Sequence, residues 1–107
     1  MTSGEVRNWF ETACGEMGYQ KADEYASGHL HKEDADFKKI KKAVKNGVRD
    51  IGGWLGDEYF NDKNMQRDLI GDHIYGEPNK KEILEELQKD STYRVVATEM
   101  LKRFEKP

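Results

Sequence analysis

The chain contains a single cysteine, Cys14; a lone thiol excludes an internal disulfide, so nothing here reads as a secreted disulfide scaffold. Long apolar runs are missing as well. No stretch approaches the ~20 residues of a membrane-spanning helix, and the opening MTSGEVRNWF lacks the basic-then-apolar pattern of a secretory signal. The expected setting is the cytoplasm, away from any membrane. Catalytic signatures are absent too: HExxH, CxxC, GxSxG and the EF-hand loop do not occur, and Gly52, Gly53 and Gly56 lack the lysine and following Ser or Thr of a Walker phosphate loop. The expectation is a protein without enzymatic activity or cofactor.

Charge is what the chain has in plenty. Charged residues make up 36% of the 107, mean hydropathy is -1.00 and the net charge is -3. Those figures lean toward disorder, but 10% aromatics and a regular apolar spacing predict a folded, soluble chain, about one domain in length. The charge is unevenly placed. Residues 1–36 hold eight acids and three bases, residues 37–49 six bases and no acid, and residues 50–107 thirteen acids and nine bases. A basic band in an acidic molecule is a poor general coat for nucleic acid.

Every periodic segment reads as helix. Thr2 and Glu5 have capping-box spacing, and Val6, Trp9, Phe10, Ala13, Cys14 and Met17 follow at three and four residues, predicting a first helix stopped at Gly18. A short piece over 19–27, ended by Gly28, comes next. The clearest pattern is at 33–51, where Phe37, Ile40, Val44, Val48 and Ile51 fall within roughly an 80° stripe. Acids at Glu33, Asp34 and Asp36 suit the positive end of this helix. Gly52 and Gly53 predict a kink or break, with Trp54, Leu55, Tyr59 and Phe60 on a short helix beyond it.

Met65, Leu69, Ile70 and Ile74 predict a helix closed by Gly76; Asn79 and Glu82 have capping-box spacing before Ile83, Leu84 and Leu87; and Tyr93, Val96, Ala97, Met100, Leu101 and Phe104 form a last run. Residues 92–97, TYRVVA, carry high β propensity. Helix is preferred because its spacing persists to Phe104 and no second strand is available for pairing. The predicted fold is all-α, one domain of about five helices in orthogonal or bundle-like packing.

The strongest functional candidate is the basic face of 37–49. Lys38, Lys41, Lys42, Lys45 and Arg49 lie within about 100° on a helix, where they could oppose an acidic protein patch or phosphates, or simply be a solvated face. Interleaved aromatics are lacking and lysine predominates, which favours a protein partner over nucleic acid. In WLGDEYF, Trp54 and Tyr59 are candidate interface anchors, with core packing as the competing use.

Other candidates are weaker. His29 and His31, beside Glu33, Asp34 and Asp36 and with Asp72 and His73 further on, give an unspecific metal pattern, read as loop histidines with no metal site. Cys14 shares the apolar face of Phe10 and Met17 and reads as buried. Gly52 and Gly56 read as a hinge or as a close helix contact. The functional expectation is a protein-binding domain that occupies a surface on a larger partner, in the manner of small inhibitors, immunity proteins, regulators or adaptors. Lys38, Lys41, Lys42, Lys45, Arg49, Trp54 and Tyr59 are its expected contacts. The alternative is a nucleic-acid-binding or regulatory domain using the same lysine-rich helix.

Overall fold

The computed structural model describes residues 3–105, and among them there are six helices and no strand. The helices are α1 (Ser3–Ala26), α2 (Ala35–Lys45), α3 (Ile51–Phe60), α4 (Lys63–Ile74), α5 (Lys80–Leu87) and α6 (Arg94–Glu105). The all-α expectation holds, with one helix more than about five. The capping box at Thr2 lies outside the described residues.

Packing divides the described chain into two units: Glu11–Phe60, and the residues before Glu11 together with those from Asn61 onward. In the first unit, α1 does not stop at Gly18. It runs on until Ser27 and Gly28, where Gly28 takes a φ of 76° and closes the helix as predicted. Gly18 is there for space. A Cβ on it would stand 2.6 Å from the amide nitrogen of Gly56, so the backbones of α1 and α3 meet where neither carries a side chain. The close-contact reading of Gly52 and Gly56 therefore holds, and the hinge does not: both lie inside α3.

The break falls earlier than predicted. Asn46 caps α2, Gly47 follows at φ 80°, and the Val48 amide donates to the Ala43 carbonyl at 3.0 Å, which ends the helix in a left-handed turn. At its start, Asp34 accepts from the Asp36 amide at 2.8 Å and from Lys21 Nζ of α1 at 2.6 Å. These bonds hold the Asp34 carboxyl below its usual range and raise the Lys21 ammonium above its own. Asp50 caps the first turn of α3 through the Gly53 amide, 3.0 Å away, and accepts from the Tyr19 hydroxyl at the same distance.

Shortening α2 shifts its buried face. Ile40 is buried as predicted, but Ala43 joins it and Val44 is 50% exposed, while Phe37 is half-buried against Tyr25 at 5.2 Å between ring centroids. Cys14 is buried, which pushes its thiol up to about 11.

The second unit is organised around Tyr93. Its fully buried ring meets Phe10 edge-on at 5.4 Å and lies beneath the Arg7 guanidinium, which pairs with Asp90. Asp90 also accepts from the Thr92 amide at 2.9 Å, bending the chain into α6. TYRVVA is thus turn at Thr92 and Tyr93 and helix from Arg94. Trp9 stacks on His73 at 4.1 Å. Asp62 caps α4 through the amides of Asn64 and Met65, and Gly76 follows its end at φ 85°. Asn79 stands at the N-cap of α5, but its side chain makes no capping bond to the helix.

Candidate partner-binding surface

α2 buries Ile40 and Ala43 and half-buries Asp36 and Phe37, and the rest of its circumference is left to solvent. Lys38, Lys41, Lys42 and Lys45 are all exposed, and none makes an ion pair or side-chain hydrogen bond among the described residues. Lys38, Lys41, Lys42 and Lys45 surround one depression of about 440 Å³, with Asn46 at its edge. Four unneutralised ammonium groups on one short helix give this face a positive potential within an acidic protein.

A second depression adjoins it. About 290 Å³ in volume, it lies between α2 and α3 and shares Lys42 and Asn46 with the first; Lys39, Ala43, Val48, Trp54 and Glu58 complete its lining. Trp54 is half-buried, so its indole presents an apolar edge to this cleft. The sequence places the lysines and Trp54 on separate elements; the turn at 46–50 folds α3 back so that they share one surface.

Two of the expected contacts do not belong to it. Tyr59 is 6% exposed on the inner side of α3, and its hydroxyl donates to the Asp36 carboxylate. Burial, with the Asp36 charge, raises its phenol well above the ordinary value. Tyr59 is a core tie and offers a partner no surface. Arg49 is exposed but stands in the turn after Gly47, off the helical face on which it was expected. Lys39 and Asn46 are additions that the sequence reading assigned to no site; Lys39 at least belongs to the acid-free basic segment 37–49.

His29 Nδ1 lies 3.1 Å from Ser27 Oγ, and no cluster of three or more His, Cys, Asp or Glu residues able to hold a metal is found among the described residues. No described helix is long and apolar enough to cross a membrane. No protein-family model, curated protein sequence or solved structure matches this chain.

Proposed function

We propose that the chain is a protein-binding domain whose α2–α3 surface docks an acidic segment of a larger partner. The reading is carried by one juxtaposition: unneutralised Lys38, Lys41, Lys42 and Lys45 lie beside a cleft rimmed by Trp54, joined through Lys42 and Asn46. Lysines steer a carboxylate-rich surface into contact and set its orientation. A half-buried tryptophan supplies the apolar anchor that charge alone does not. In this reading the domain acts by covering its partner.

The test begins with affinity capture and cross-linking mass spectrometry, which identifies both the partner and the face. Lys38→Glu, Lys42→Glu and Lys45→Glu combined should lower affinity for that partner by about tenfold or more, chiefly through slower association, and the loss should shrink as salt rises. Trp54→Ala should instead speed dissociation. A captured partner that binds the triple variant as tightly as wild type would reduce the face to solvated surface. Binding to unrelated DNA or RNA, falling steeply with salt, would favour the nucleic-acid alternative.

A further inference from the structure

A second basic surface lies on α5 and α6, independent of the α2 face. Lys81, Glu85, Gln88 and Lys89 recur along α5 and its C-terminal turn at i, i+4, i+7 and i+8. Arg94, Thr98, Leu101 and Lys102 repeat that spacing along α6. Residues so spaced share one side of a helix, and the two rows line an open cleft of about 810 Å³.

Its chemistry is lopsided. Four cations face one carboxylate, Glu85. Neither Lys81 nor Lys102 makes an ion pair among the described residues. Lys89 holds only an exposed pair with Glu86 at 3.0 Å, which is weak enough to exchange for a better anion. Arg94 uses its Nε to donate to the Gln88 carbonyl at 3.3 Å, leaving both terminal nitrogens for a ligand. The Gln88 amide donates to Thr98 Oγ1 at 2.9 Å, a bond that ties the two rows together.

We propose that this cleft binds a compact, hydroxyl-bearing compound with more than one phosphate, of the size of a nucleoside di- or triphosphate. A volume of about 810 Å³ falls in the range of small-ligand sites. Arginine offers a phosphate two parallel donors, and lysines add mobile point charges. Leu101 and the aliphatic lysine stems give the rest of the ligand an apolar wall. Glu85 opposes a bare polyanion but accepts a hydroxyl, which favours a sugar-bearing phosphate. Size is limited from outside: Glu82 and Glu86 are exposed on α5 and repel a polyanion that extends past the cleft.

Calorimetric titration of the full chain with ATP, inositol hexakisphosphate and tripolyphosphate tests this, with circular dichroism confirming that each variant is folded. ATP should bind, and Arg94→Ala with Lys102→Ala should weaken it about tenfold or more, whereas Lys63→Ala, exposed on α4, should leave it unchanged. Glu85→Gln should weaken ATP yet strengthen tripolyphosphate. The proposal is overturned if ATP does not bind at physiological salt, if inositol hexakisphosphate or tripolyphosphate binds more tightly than ATP, or if the Arg94/Lys102 variant binds as wild type does. Single-stranded nucleic acid binding more tightly than all three, through the same residues, would also overturn it. Because no α2 residue takes part, failure here leaves the protein-docking surface untouched, and the reverse.

Discussion

Gly18 of α1 and Gly56 of α3 are pressed backbone to backbone, so that a Cβ on Gly18 would stand 2.6 Å from the Gly56 nitrogen. Neither helix can yield without dragging its own turns along. Gly18→Ala should therefore destabilise by about 2–3 kcal/mol or more, in the range of overpacking with backbone displacement. Gly15, a turn earlier on α1, has open space where its Cβ would go. Gly15→Ala should stabilise by roughly 0.5–1 kcal/mol, since alanine is the better helix former. Urea denaturation of the two variants decides the matter; equal effects would mean that the helices do not meet at Gly18.

The Asp34–Lys21 bond gives the fold a pH dependence at both ends. The Asp34 carboxyl is held below 3.8, so its contribution is complete above that pH and is lost as pH falls through the lowered folded value. Lys21 is raised above 10.5, so its share is complete below that pH and is lost as pH rises through the raised value. Asp34→Ala should cost about 1 kcal/mol at neutral pH, mostly as a lost helix cap. Asp34→Asn should keep the cap and lose only the half-buried ion pair, worth about 1 kcal/mol or less. The gap between wild type and Asp34→Asn should close below the pH where Asp34 protonates, as thermal unfolding across a pH series would reveal.

Cys14 is shielded twice, by 1% exposure and by a thiol pushed from 9.0 up to about 11. At pH 8 its reaction with a chromogenic disulfide reagent should be on the order of a hundredfold slower than in urea, where the thiolate is both more abundant and accessible. Rapid labelling of the folded protein would contradict its place in the core.

The shortened α2 makes a further stability series informative. Ile40→Ala should cost ~2–5 kcal/mol. Val44→Ala, at a half-exposed position, and Lys42→Ala should stay within about 0.5 kcal/mol. A large effect at Val44 would restore the longer stripe predicted from the sequence.

Local signals were legible and distant ones were not. Apolar spacing marked part of every helix, though it divided α1 at Gly18 and ran α2 on to Ile51, and Gly28 and Gly76 were read correctly as stops because left-handed closure is a local event. Gly18, Gly47 and Gly52 are chemically the same residue in two roles. Gly18 and Gly52 lie inside helices and make room for the α1–α3 contact, whereas Gly47 ends a helix at positive φ, and only the tertiary partner distinguishes the first two from the third. Trp54 and Tyr59 share a short helix, yet Tyr59 turns inward because Asp36, 23 residues away, takes its hydroxyl. The lysines of α2 were visible as a basic run. Their meeting with Trp54 depends on a turn at Gly47 that the periodicity concealed.

The division of α1 between two units has a consequence for synthesis. Phe10 packs on Tyr93, and Arg7 pairs with Asp90, 83 residues later. Cys14, Gly18 and Lys21 find their partners before Asn61. As the chain leaves the ribosome N-terminus first, the later turns of α1 can dock on α2 and α3 while Val6 and Phe10 still lack their neighbours. Those early turns form a long-range closure that is completed last. Until α6 emerges, their apolar side stays uncovered and open to a chaperone.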